Sequence, residues 1–200
     1  MTVSIEKTSK RYRGKMARGY ETKRKTQYRW DIENKTVEDM LKLLRPETVL
    51  DVPVGTGRFL KVYQKLGILN VTGIDSSEEM LELAHRKRID KTANYRLRIG
   101  DARKLAASEK SHDVAVCVRF LDLIDEEAMR EVVKELCRVA VRAIILTIRL
   151  GPKYIPKSNT ATHDSNKFRA LVRSQGFNII KEVPVLNAGW QIMRLERRSK

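Results

Sequence analysis

The sequence predicts an α/β fold, an open and mainly parallel seven-stranded sheet with helices on both faces. Three observations carry this reading. Short apolar runs alternate along the chain with stripes of helical period, the order that successive βα units produce. One run, over 113–118, is almost continuously apolar, which suits a strand buried on both faces. The last two runs follow one another with no helical stripe between them and read as a closing strand pair.

Each element has a local reason. A helix over 36–44 closes at Arg45-Pro46, because the residue before a proline is driven out of helical geometry. The first strand, 48–52, runs into the turn Pro53-Val54-Gly55-Thr56-Gly57, and a helix over 58–66 follows. Gly67 leads to a second strand, 70–74, which ends in Asp75. Ser76 with Glu79 predicts a capping box for a helix over 78–86. A third strand, 95–99, ends in Gly100-Asp101, and the fourth is 113–118. Asp125 is placed to cap a helix whose Met129, Val132, Val133, Leu136 and Val139 form one stripe. The fifth strand is 143–148. A loop over 149–162, with Gly151, Pro152 and Pro156, precedes a helix ending at Gly176, and 177–185 and 191–195 complete the sheet.

The chain of 200 residues fits one domain of ordinary size, placed at 35–200, behind a basic segment at 1–34 that is predicted to be helical in part. No apolar run resembles a secretory signal or approaches the ~18 residues that cross a bilayer, so a cytoplasmic protein is expected. Cys117 and Cys137 lie in apolar periodic segments without metal-ligand spacing, so packed thiols and no metal site are expected. The formal net charge of +16 points to an anionic partner. Residues 1–30 hold ten of the basic residues against Glu6 and Glu21, with Tyr12, Tyr20, Tyr28 and Trp30 interleaved. Such a segment can contact phosphates and stack flat groups, and structured RNA is the expected acceptor or partner.

In open α/β sheets ligands bind beyond the carboxyl ends of the strands, which singles out Asp51, Asp75, Asp101 and the region of Arg119. The glycine turn does not fit a triphosphate loop, since Arg58-Phe59 stand where that loop needs lysine and a hydroxyl. It does not fit a dinucleotide turn either: Leu60 replaces the third glycine, and Asp51 brings a negative charge beside the site. A carboxylate there suits a ligand that carries a cation.

Taken together, these segments resemble the class I S-adenosylmethionine-dependent methyltransferases over about 48–197. Asp51-Val52-Pro53-Val54-Gly55-Thr56-Gly57 resembles the first motif of that family, the strand ending in Asp75 resembles the second, and Ile99-Gly100-Asp101-Ala102 resembles the segment that meets the adenine. The resemblance implies S-adenosyl-L-methionine as cofactor. It assigns contacts to Asp51, Val52, Gly55, Thr56, Gly57, to Asp75 and Ser76 at the ribose, to Asp101 and Ala102 at the adenine, and to Val118. Pro53 stands where the family has its first glycine. Proline fixes φ and lacks an N–H, so Gly55 and Gly57 must supply the flexible positions and the close approach.

On the acceptor side the fourth strand lacks the Asn/Asp-Pro-Pro-Tyr/Phe motif of adenine amino methyltransferases, and Cys117 lies inside the strand as a packed thiol rather than a nucleophile. Arg119 is a candidate for gripping an acceptor's anion. His163 is a candidate base or anchor, and Tyr20 a candidate residue of a lead segment that closes over the site. Two alternatives to an RNA acceptor stand beside it. One is a small-molecule methyltransferase of quinone, lipid or metabolite type. The other is a non-catalytic methyltransferase-fold subunit that binds nucleic acid or regulates a partner.

Overall fold

A computed structural model describes residues 28–87, 93–156, 160–185 and 189–199. Its elements in chain order are α1 Tyr28–Leu44, β1 Thr48–Asp51, α2 Leu60–Lys65, β2 Asn70–Asp75, α3 Glu78–His85, β3 Asn94–Ile99 and β4 His112–Cys117. A single 3-10 turn at Leu121–Leu123 leads to α4 Glu126–Val139, β5 Ala140–Gly151, β6 Ile155–Pro156, β7 Ala161–Asp164, α5 Ser165–Ser174, β8 Phe177–Pro184 and β9 Trp190–Arg197.

The main sheet runs β3-β2-β1-β4-β5 in parallel. β9 lies antiparallel beside β5, and β8 is outermost, antiparallel to β9. These seven strands are the ones that the sequence predicts. The predicted loop over 149–162 is corrected: β5 continues to Gly151, its last two residues pair with His163 and Asp164 of β7, and β6 pairs with β7 as a small hairpin. β5 is a long strand because it has a partner on each side, including β9 along most of its length.

Strand alternation divides the core. Val49, Val71, Val114, Val116, Ile145 and Ile192 face α1, α2 and α3. Leu50, Val52, Ala115, Cys117, Ile144, Leu146 and Met193 face α4 and α5. β4 is buried on both faces from Val114 to Cys117, which explains its unbroken apolar sequence. Cys117 and Cys137 are free and buried.

Two helix starts differ from expectation. α1 begins at Tyr28 rather than 36, so the boundary drawn at residue 34 falls inside it. Its apolar stripe Val37, Met40, Leu41 and Leu44 is what the sequence displays, while the earlier turns are held by polar contacts that have no period. Helix α3 is capped by Ser77, not Ser76: Ser77 Oγ accepts from the Met80 N–H at 3.3 Å and donates to Glu79 Oε2 at 3.2 Å. Ser76 is thereby left exposed at the sheet end.

Helix α4 is capped as expected, with Asp125 Oδ1 accepting from the Ala128 N–H at 2.9 Å. Asp125→Ala should cost about 1 kcal/mol in a urea unfolding titration; an unchanged midpoint would show that the cap contributes nothing.

Candidate functional site

Chain reversal on either side of β1 opens a crevice at the carboxyl ends of β1, β2, β3 and β4. A cleft there is lined by Val52, Pro53, Ile74, Asp75, Ser76, Gly100, Asp101, Ala102 and Phe120. The structure thus brings together Val52, Asp75, Ser76, Asp101 and Ala102, five residues that the sequence nominates. The turn carrying Gly55, Thr56 and Gly57 adjoins the cleft through the Gly55 N–H, which donates to Asp75 Oδ2 at 2.8 Å. Val118 is buried just after β4.

The turn meets the demand that Pro53 creates. The Val52–Pro53 peptide is cis, and Gly55 and Gly57 have φ of 55° and 75°, the left-handed region that disfavours side chains. At Gly57 a Cβ would also meet Leu60 Cδ1 at 2.6 Å, so a side chain here would displace Leu60 as well as strain the backbone. At Gly55 a Cβ would meet nothing within 4 Å, so conformation alone accounts for that residue.

The three strand-end acids differ in environment. Asp75 is buried and accepts from the backbone N–H of Gly55 and, at 2.9 Å, of Ser77. Burial raises its pKa while the backbone donors of Ser77, Gly55 and Ser76 oppose the rise. Each carboxylate oxygen keeps lone-pair capacity for a further donor from a ligand. Asp101 is part-exposed and forked by Arg103, whose Nη2 donates to Oδ2 at 2.7 Å; this pair holds Asp101 below its ordinary pKa.

Asp51 is the unusual one. Burial pushes its carboxyl up to about 7, with the Tyr63 hydroxyl and Arg58 opposing and Asp75 adding to the rise. Asp51 Oδ2 and Tyr63 Oη are both buried, and the hydroxyl is the side-chain donor beside the carboxyl. A buried carboxylate with so little support is costly unless a cation or proton reaches it.

The arginines at the site converge on α1. Glu33, buried on that helix, accepts from Arg58 Nη1 at 2.8 Å through Oε2 and from Arg119 Nη1 at 3.2 Å through Oε1. Arg58 also donates to Asn34 Oδ1 at 2.8 Å and to the Trp30 carbonyl at 2.9 Å, and lies 3.7 Å from the Trp30 ring. Arg119 has a φ of 63°, and its N–H donates to Thr147 Oγ1 at 2.6 Å. The sequence placed Arg119 at the mouth of β4, and its guanidinium is held from within by Glu33 of α1.

His163 is fully buried on β7, where its Nε2 meets the Leu121 carbonyl at 2.7 Å. Burial lowers its pKa, with the Leu121 carbonyl and the acids Glu126 and Asp125 opposing. Arg119 and His163 therefore have different partners and do not form a pair. Tyr20 lies outside the described residues. The sequence missed Glu33, Arg58 and Phe120. Phe120 was in reach of the strand-end rule, one residue beyond Arg119. Glu33 has no local signal, since a glutamate among the charges of an amphipathic helix reads as solvated.

Residues 49–142 match the family described as a methyltransferase domain. The chain is 36% identical over 112 residues to the demethylmenaquinone methyltransferase of Thermotoga maritima, a match covering 54% of this chain and 45% of that protein. It therefore spans under half the length of this curated relative. Among solved structures it is similar to the magnesium protoporphyrin IX methyltransferase of Synechocystis PCC 6803 with bound SAH, with a TM-score of 0.68, 19% identity and coverage of 83% and 82% of the two chains. It is also similar to the 1,6-didemethyltoxoflavin-N1-methyltransferase of Burkholderia thailandensis, with a TM-score of 0.70, 17% identity and coverage of 98% and 91%. At such identities the likeness concerns the fold.

Two outcomes follow from the buried charges. Asp51 keeps its proton in the folded state up to about pH 7 but loses it near 4 when unfolded. Its contribution to stability is therefore complete below about pH 4 and declines as pH rises from about 4 to about 7. Thermal unfolding of the ligand-free protein should show Asp51→Asn gaining on the wild type across that window; parallel profiles would mean that Asp51 titrates normally. Glu33→Ala leaves two buried guanidinium groups without their shared carboxylate and should cost about 3 kcal/mol or more in urea unfolding. A loss below about 1 kcal/mol would place the pair among weak surface ion pairs.

Proposed function

We propose that this chain, whose residues 49–142 match the methyltransferase domain family and whose fold is like that of class I methyltransferases, is an S-adenosylmethionine-dependent methyltransferase acting on a small-molecule acceptor. The observation that carries the reading is the buried Asp51 carboxyl, pushed up to about 7 by its burial, at the strand end that leads into a turn whose glycines keep positive φ. That pattern fits a ligand with a cationic amino-acid end better than it fits a phosphate.

The cofactor supplies a methyl group already activated on a sulfonium. The protein's work is then to bind, orient and exclude water, so that the acceptor's nucleophile lies in line with the methyl carbon. In this reading Asp51 provides the negative charge for the methionine ammonium beside the Gly55–Gly57 turn. Asp75, already fixed by the backbone N–H groups of Gly55 and Ser77 among others, accepts from the ribose hydroxyls through its remaining lone pairs. Asp101 accepts from the adenine amino group, while Ile74, Ala102 and Phe120 give the ring apolar walls. Ser76, exposed and not consumed as a cap, is available at the ribose edge.

A small-molecule acceptor takes the place of RNA as the leading reading. The relatives above are named for demethylmenaquinone, magnesium protoporphyrin IX and 1,6-didemethyltoxoflavin, which support small acceptors and lend nothing to RNA. A non-catalytic role is disfavoured by the conformation of the turn, which Pro53 has not disturbed at Gly55 and Gly57. A cytoplasmic location belongs to the same proposal. No helix among the described residues is long and apolar enough to cross a membrane.

Isothermal titration with S-adenosylhomocysteine tests the cofactor. The wild type should bind more tightly at pH 7.5 than at pH 6, by on the order of tenfold, because the ligand's ammonium favours ionised Asp51. Asp51→Asn should lose that pH dependence, and Asp75→Ala should weaken binding at least about tenfold. Binding that is absent in the wild type, or indifferent to both substitutions, would overturn the assignment.

A further inference from the structure

We infer that Tyr63 is a positioning residue for cofactor binding: its buried hydroxyl donates to Asp51 and holds that carboxylate ready for the ammonium of the ligand. The inference rests on the methyltransferase reading for the identity of the ligand, and on the packing beneath the glycine turn for the role of the tyrosine.

Tyr63 lies on α2, one turn after Phe59, and is fully buried. Its ring centroid is 6.4 Å from that of Phe59, within the apolar cluster that holds Val49, Leu60 and Val71. A phenylalanine would serve all of these neighbours. The hydroxyl is therefore the part of the residue that apolar packing does not explain, and a buried tyrosine hydroxyl ordinarily has a polar partner. Asp51, buried at the end of β1, is that partner. Burial and the charge of Asp51 raise the tyrosine's pKa, so the hydroxyl keeps its proton and acts as a donor.

The donor is held in place by its own backbone. The Tyr63 N–H donates to the Phe59 carbonyl at 2.9 Å, and the Tyr63 carbonyl accepts from the N–H groups of Ile68 at 2.9 Å and Leu66 at 3.2 Å. The Tyr95 hydroxyl on β3 donates to the Ile68 carbonyl at 3.0 Å, which ties the segment after α2 to the sheet.

Among the described residues, Asp51 is faced by Tyr63 from α2, Arg58 from the glycine turn, Asp75 from β2 and the Cys117 thiol from β4. Arg58 is engaged by Glu33, Asn34 and the Trp30 carbonyl, so its guanidinium acts on Asp51 only through its charge. Asp75 opposes ionisation, and burial keeps the thiol neutral. Tyr63 is the side chain in this set that favours the charged carboxyl by a hydrogen bond. A ligand's ammonium needs that charged form. The tyrosine thus supports the anion before the ligand arrives, without touching the ligand itself.

Tyr63→Phe removes one oxygen and keeps the ring. Isothermal titration of the full chain with S-adenosylhomocysteine should show affinity reduced about tenfold at pH 6 and less than about twofold at pH 8.5, because Asp51 then ionises about one pH unit later. 5′-Methylthioadenosine, which has the nucleoside but no amino-acid end, should bind the two proteins alike at both pH values. In the ligand-free protein the Asp51 carboxyl carbon resonance, identified by its absence from Asp51→Asn, should titrate about one pH unit higher in Tyr63→Phe. An affinity loss of equal size at both pH values, a loss shared by both ligands, or an unmoved Asp51 midpoint would make Tyr63 a packing residue and overturn the inference. The two readings fail separately. A midpoint that moves in a protein that does not bind S-adenosylhomocysteine would sink the cofactor and leave the Tyr63 contact standing, whereas pH-dependent binding with an unmoved midpoint would sink the role of Tyr63 alone.

Discussion

Glu33 is the point at which three parts of the molecule are tied. Its carboxylate lies between a guanidinium from the glycine turn and another from the exit of β4, and the helix that carries it packs on β5 and β9. Two cations and one anion in a buried setting are stable only while all three are present. The arrangement therefore fixes the distance between α1, the turn and the strand end together. It also explains how Arg119, a residue without glycine's freedom, is held at a φ of 63°: Thr147 and Glu33 grip it from the backbone and the side chain.

On that frame the cleft is assembled from acids rather than cations. The arginines nearest to it are occupied, Arg58 and Arg119 by Glu33 and Arg103 by Asp101. Asp51 and Asp75 are both buried, and the charge of Asp75 raises the cost of ionising Asp51. A site of this kind repels a pyrophosphate and rewards a ligand with a positive end and several hydroxyl donors. The overall charge of +16 therefore misleads about the cleft, whose local sign is opposite.

The succession of strands and helices along the chain and the acids at the strand ends were legible because each rests on local rules: period, turn residues and the position of ligands in open α/β sheets. Five of the nine residues that line the cleft follow from those rules. What stayed hidden depends on contacts across long separations. Glu33 meets Arg119 from 86 residues away, and its burial has no trace in the sequence around it. The cap at Ser77 instead of Ser76 is a one-residue choice made by Asp75, which takes the Ser77 N–H and sets where the helix can begin. The β6–β7 hairpin was read as a loop because its pairs are few and one of its strands is two residues long.

The decisive measurement is a crystal structure with S-adenosylhomocysteine. The methionine ammonium should lie beside Asp51 at the Gly55–Gly57 turn, the ribose hydroxyls on Asp75 and the adenine between Ala102 and Phe120 with its amino group toward Asp101. A ligand seated elsewhere, or one whose carboxylate rather than ammonium faces Asp51, would contradict this arrangement.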